Sequence, residues 1–545
     1  MRACILAAAV LMSACSQPAD TLYTNAVIWT GTGAEASALA VTGDRISWVG
    51  DADGAPAAGE IVDLNGAFVI PGFIDNHVHL LMGGMQLASV DLRDADSPEE
   101  FARRIGEFAA GLEPGRWILG GSWDHERWGG KLPGADWIDA ATPNNPVFVQ
   151  RLDAHMAVAN SLALELAGLT AETPDVEGGE IVRLANGSPA GVLKDEAMNL
   201  VFSVIPDPSP QEFREALDRA QAHAFSLGVT QVHDVGTYGG FQDLEVYRAA
   251  HAESALSLRI YSIVAISGWE RIARLVEKEG TGDSVLRWGG VKGFVDGSLG
   301  STTAWFYDPY LDTPQTTGLT VTPLGELATD IAGADSAGLQ LAIHAIGDRA
   351  NDWLLDVFAG LPFRDRLPPR IEHAQHLSDA AIARFAELGV VPSMQPYHAV
   401  DDGRWAENRI GRERAERTYA FRSLLDAGAP LTFGSDWTVA PLNPLLGIHA
   451  AVTRATIDGA NPDGWIPSQK IAVEDALRAY TVANAEAGGQ ADQLGTLQEG
   501  KLADFVVLGE DIRSIPAELI KDVGVLRTVI GGVEVFSLPE EAHAL

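Results

Sequence analysis

The sequence predicts an α/β fold. Its centre is a (β/α)8 TIM-like barrel, joined to a composite β-sandwich made from both chain ends and to an insert after the first barrel strand. Three observations predict this. Short apolar, β-branched runs alternate with helix-like segments, the pattern of a parallel sheet covered by helices. Eight such runs occur, at 68–75, 228–234, 258–264, 290–295, 339–344, 369–373, 389–394 and 430–435. Eight strand–helix units close into a barrel, and His, Lys and Asp recur at the C-terminal ends of these runs, where barrels carry their reacting groups.

Residues 1–15 are read as a targeting segment. Arg2 supplies a positive start, Ile5 to Met12 a short apolar run, and Ser13-Ala14-Cys15 closes it. The run is too short to span a bilayer as a helix. Small residues before a cysteine resemble a bacterial lipoprotein cleavage site. On that reading Cys15 is the lipidated first residue, 16–20 is a tether, and Ser16 favours the outer membrane, facing the periplasm. The alternative is ordinary cleavage to a soluble periplasmic protein. Cys4 and Cys15 are the only cysteines, so the mature fold has no disulfide, and any metal site must use His, carboxylate or Lys. The 74 acidic residues outnumber 38 basic ones, for a net charge of -36. That argues against a nucleic-acid partner and against polybasic binding to anionic lipid. Membrane contact is then left to the anchor on Cys15. A homodimer is compatible with this composition.

Residues 21–67 read as short strands separated by Gly and Asp turns, and 495–540 have the same character. Neither end carries enough strands for a stable sheet alone; together they make one β-sandwich. The barrel occupies 68–494. Its first two strands lie about 150 residues apart, far more than one crossover helix needs. Residues 115–205 are therefore read as an inserted subdomain over the barrel mouth, rich in tryptophan (Trp117, Trp123, Trp128, Trp137).

The strand ends carry the chemistry. The first run ends in His77 and His79, whose i, i+2 spacing puts both imidazoles on one face of a strand. Such a pair can hold a divalent metal such as zinc, or be two surface histidines. Lys292 lies in the fourth run, His344 ends the fifth, His373 the sixth and Asp436 the eighth. Each alone is weak; the ordered set is strong. Lys292 sits in an apolar strand, where a charged ammonium beside metal cations is repelled and poorly solvated. A neutral lysine can add carbon dioxide and, as an anionic carbamate, bridge two metals. The alternative is pairing with Asp296 or a substrate carboxylate. Asp436 can ligate a metal and also move a proton, because zinc lowers the pKa of its water to about 7 from roughly 16 in bulk. An N-cap for the next helix is the plainer role.

The motifs His77-Val-His79, Val291-Lys292 through Ser301, His344-Ala-Ile-Gly-Asp348, Ile371-Glu-His373-Ala-Gln375 and Gly434-Ser-Asp436 resemble the amidohydrolase superfamily. More narrowly they resemble the amidohydrolase 3 family, which includes N-substituted formamide deformylases. The resemblance spans about 21–537. It implies barrel, composite sandwich and insert, and hydrolysis of carbon–nitrogen bonds other than peptide bonds. It implies that His77 and His79 bind the more buried metal, Lys292 bridges, His344 and His373 bind the second, and Asp436 is the acid/base. One or two ions, usually zinc, are both compatible with the motif. Thr302 stands where an arginine is more usual, which puts in doubt any substrate contact that arginine makes.

Trp123, Asp124, Arg151 and His155 in the insert, and His398 in Gln395-Pro-Tyr-His398 after the seventh strand, are read as substrate contacts. His155 is equally readable as a structural histidine and His398 as an idle surface one. Asp75, Asp348 and Glu372 adjoin ligands and are placed to orient them. The resulting expectation is an amide or N-substituted formamide hydrolase working through a metal-activated hydroxide on a small-molecule substrate. The alternatives are an ester, lactone or N-acyl amino acid hydrolase with the same site, or a non-catalytic solute-binding lipoprotein. Fold alone does not choose the substrate.

Overall fold

The computed structural model describes residues 18–151, 156–176, 179–236, 241–363 and 366–539. The leader, Cys15 and His155 lie outside the described residues. The chain forms two compact units, one of 80–220 and one of the remaining residues.

Eight parallel strands form the barrel: β1 (Phe73–Val78), β2 (Val229–Asp234), β3 (Arg259–Ala265), β4 (Leu286–Phe294), β5 (Gln340–Ala345), β6 (Arg370–His373), β7 (Val391–Met394) and β8 (Thr432–Phe433). Each pairs with the next in chain order. The strands are buried almost throughout, which explains their near-continuous apolar sequences. The ring is joined just past the last strand. Asp436 N–H donates to the His77 carbonyl at 2.8 Å, and His79 N–H to the Trp437 carbonyl at 2.7 Å. The seam between first and last strands therefore passes through three of the expected site residues.

The run 68–75 is corrected to two elements. Phe68–Pro71 belongs to the sandwich, antiparallel to Phe505–Leu508, and the barrel starts at Phe73. Gly72 makes the crossing. A Cβ there would lie 2.2 Å from Thr230 Oγ1, so a larger residue would push β2 away. The sandwich has a four-stranded sheet in the order Arg45–Gly50, Ala38–Thr42, Ala19–Thr24, Ala58–Asp63. Its second sheet runs Val533–Ser537, Val525–Ile530, Phe505–Leu508, Phe68–Pro71, Val27–Trp29, Glu35–Ala36. Both chain ends thus supply one sheet. Tyr23, Leu39, Val69, Phe505 and Val529 share its core, with Tyr23 and Phe505 edge to face at 5.0 Å. Fully burying each large apolar side chain contributes on the order of 1.5–3 kcal/mol.

The inserted unit spans 80–220, wider than the 115–205 read from sequence. It has its own six-stranded sheet, in the order Gly179–Arg183, Pro189–Asp195, Met156–Ala159, Phe148–Arg151, Gly120–Trp123, Val90–Asp91. The helix Pro98–Ala110 starts where the Ser97 side chain accepts from Glu100 N–H. Its Phe101 and Ile105 pack with Trp123, Ile138 and Val149 into one core.

Candidate metal centre and active site

The C-terminal ends of β1, β4, β5, β6 and the segment following β8 bring His77, His79, Lys292, His344, His373 and Asp436 around one cavity of about 350 Å³. The three donors His77, His79 and Asp436 have ligand atoms within 4.8 Å of one another. The Asp436 Oδ1 atom lies 3.4 Å from His79 Nε2 and 3.6 Å from His77 Nε2. Asp436 and His373 sit at φ 59° and φ 74°, a left-handed conformation that costs energy in a non-glycine residue and recurs at functional sites.

The outer nitrogen of each histidine is engaged, which settles its tautomer. His77 Nδ1 faces Glu372 Oε2 at 2.5 Å. His79 Nδ1 lies 2.5 Å from the Gly236 carbonyl, and His344 Nε2 3.0 Å from the Gly297 carbonyl. His373 Nδ1 meets Gln395 Oε1 at 2.8 Å. A carbonyl or carboxylate only accepts, so each of these nitrogens carries the proton and the other ring nitrogen offers a lone pair. Neutral imidazole is the ligand form. Burial, reinforced by Lys292, lowers the His77 pKa to about 4 and the His344 pKa to about 3. Burial, with His344 and His77 nearby, holds His373 well below the ordinary histidine range. The nitrogen and oxygen donors fit a borderline divalent cation such as zinc.

The supporting groups are buried too. Glu372 orients His77 rather than its sequence neighbour His373. It is held by Arg370 Nε–H at 2.8 Å and Ser393 Oγ–H at 2.6 Å. Burial favours its neutral form, but the Arg370 guanidinium and His77 outweigh that and keep it ionised well below the usual carboxylate range. Asp75 accepts from His77 N–H at 3.1 Å and Ser435 N–H at 3.0 Å, pinning the end of β1 to the segment after β8. Burial pushes its pKa up to about 7. Asp348 instead accepts from Tyr307 N–H and does not orient a ligand.

Lys292 is buried with Nζ 3.3 Å from His77 Nε2. Burial lowers its pKa to about 8. The pairing with Asp296 is not formed: that carboxylate accepts from the Trp305, Ile346 and Gly347 amides at 2.7 to 2.9 Å. Thr302, in the place of the expected arginine, accepts from Arg409 at 2.7 Å. His398 lines the cavity with Phe294, Trp405, Gln375 and Asp402.

Among the insert residues, Trp123 takes another role. Trp123 is 0% exposed in the insert's own core, against Phe101, and its indole N–H donates to the Val149 carbonyl at 2.8 Å. Its reading as a substrate contact is corrected to a packing role. Asp124 and Arg151 form an ion pair at 3.0 Å. Arg370 and Gln395 were missed as positioning groups. A charged residue inside a buried strand was the available signal for the first, and proximity to His398 in one motif for the second.

The pattern that defines the amidohydrolase family matches residues 60–536. The chain belongs to the amidohydrolase family. Its relatives include Protein LONG AFTER FAR-RED 3 of Arabidopsis thaliana, 43% identical over 95% of this chain and 92% of that protein. An N-substituted formamide deformylase of Arthrobacter pascens is 30% identical, over 91% and 94% of the two chains. A crystal structure of an uncharacterized metal-dependent hydrolase from Pyrococcus horikoshii OT3 superposes with a TM-score of 0.74 at 31% identity, covering 91% of this chain and 99% of that one. This amidohydrolase thus has the family's metal-dependent architecture, with a His-His-Asp donor set at its strand ends.

Proposed function

We propose that the protein hydrolyses a carbon–nitrogen bond other than a peptide bond, of the amide or N-substituted formamide type. The observation that carries this is Asp436: a carboxylate at the barrel seam, 3.4 Å and 3.6 Å from the facing ring nitrogens of His79 and His77. Burial favours its protonated form, yet His77 and His79 hold it ionised well below the usual carboxylate range. It can take a proton from the attacking water and pass it to the leaving amine. The likeness to a protein named N-substituted formamide deformylase supports the bond type.

In this reading His77 and His79 hold one cation, His344 and His373 a second, and Asp436 ligates as well. Bound metal supplies an acidified water and polarises the substrate carbonyl. Glu372 and Gln395 fix the rings of His77 and His373. Lys292 would serve as the bridge: its neutral amine would add carbon dioxide, forming a nitrogen–carbon bond and releasing a proton, to give an anionic carbamate. Its burial and the full occupation of Asp296 by backbone amides support this. Export and an anchor on Cys15 belong to the same proposal, supported by the leader's sequence.

Purified protein with its metal content measured is incubated with N-benzylformamide, N-acetyl amino acids and 4-nitrophenyl acetate. Release of benzylamine, lost on chelation and restored by zinc, is expected. Turnover of the ester alone would reject the amide reading.

A further inference from the structure

We propose that His398 is a catalytic hydrogen-bond donor to the substrate and not a metal ligand; this rests on the hydrolase reading above. Geometry first suggests otherwise. His373, His398 and Asp436 have donor atoms within 4.8 Å of one another, as a cation site requires. The second ring nitrogen decides between the two. His77, His79, His344 and His373 each have it tied to an acceptor, the mark of a histidine built to ligate. His398 differs: among the described residues no hydrogen bond fixes its ring, and its buried Nε2 has no partner among them.

The backbone around that ring is nonetheless held. Gln395, three residues earlier, anchors His373. Pro396 opens the helix Pro396–Asp402 with Pro at its first position. Asp402, at the helix end, accepts from Tyr419 Oη–H at 2.6 Å and from Gln375 at 2.8 Å. The segment is therefore fixed at both ends, and His398 lines the cavity. A buried polar atom left unsatisfied costs about 1–3 kcal/mol. Such a cost persists where a ligand satisfies the atom. The partner with matching chemistry is the substrate oxygen that gains charge. As the water oxygen bonds to the carbonyl carbon, the C=O π pair moves onto oxygen and the water proton goes to Asp436. His398 Nε2–H stabilises that oxygen and keeps its own proton.

The test uses the metal-replete enzyme with His398→Ala and His398→Gln. Metal per chain and the visible spectrum of the cobalt-substituted protein report ligation. Binding of methylphosphonate, a tetrahedral anion, is followed by that spectrum and needs no turnover. His398→Ala is expected to keep its metal content and spectrum, bind methylphosphonate at least about 10-fold more weakly, and lose about 10²–10³ in kcat on N-benzylformamide with little change in KM. His398→Gln, whose amide N–H reaches the same oxygen, is expected to recover part of both. Metal loss, unchanged methylphosphonate affinity, or a KM effect alone each overturns the proposal. A wild type that binds methylphosphonate but hydrolyses no formamide rejects the amide reading and leaves His398's role to the binding data.

Discussion

The barrel's strand ends and the insert's strand Gly120–Trp123 both offer residues that a sequence reader takes for reactive groups. Their side chains meet opposite fates. Around Asp436, each of the four histidines His77, His79, His344 and His373 turns one nitrogen to a fixed acceptor and lines a cavity. Around Trp123, the indole N–H is used up on a carbonyl and every ring face meets a neighbour in the core. Burial is alike in the two places. What separates these histidines from Trp123 is a ring nitrogen left over at a cavity.

The comparison breaks most visibly at Asp436. Asp436→Asn keeps the shape and removes the base, so kcat is expected to fall by about 10³-fold or more, with the melting temperature little changed. A parallel loss of folding would make the seam, not the proton, its main role. Trp123→Ala is the converse. It opens a cavity in the insert's core and is expected to cost about 3–5 kcal/mol in denaturant unfolding, with metal content per folded molecule intact. A raised KM with no loss of stability would return Trp123 to the substrate.

Smaller effects sharpen the barrel side. Glu372→Gln leaves His77 in place but weakens its orientation, and metal affinity by chelator competition is expected to fall about 10–100-fold. Unchanged affinity would show that Glu372 only neutralises Arg370. The mildest effect is on pH dependence in metal-free, carbon dioxide-free buffer. Burial lowers folded Lys292 to about 8, while the unfolded chain holds that proton to about 10.4. The unfolded state binds more protons across that window, so Lys292 makes stability rise with pH from 8 to 10. Lys292→Met should flatten the rise; identical slopes would mean the lysine does not titrate there.

Much of this was legible because a barrel puts its chemistry at strand ends, and strand ends follow apolar runs. His77, His344, His373 and Asp436 were found that way. Gly72 was invisible, because the run 68–75 stays apolar while the chain changes sheets. The insert's edges were missed because Leu80–Leu87 and Pro210–Ser226 look like ordinary barrel crossovers. Trp123 was misread because periodicity cannot say which face of a new sheet lies inward. Arg370 and Gln395 act through other side chains, and such roles leave little mark on spacing.

The seam has a consequence for synthesis. Asp436 N–H closes the ring onto His77, and Phe505–Leu508 completes the sheet that Phe68–Pro71 begins. The N-terminal histidines must therefore wait, unpaired with their carboxylate, until most of the chain has been made. A nascent or truncated product ending before residue 436 has an open barrel edge and lacks the carboxylate that faces both histidines. The closed ring and the full His-His-Asp donor set thus arrive late and together, which makes metal binding a check on the integrity of the polypeptide.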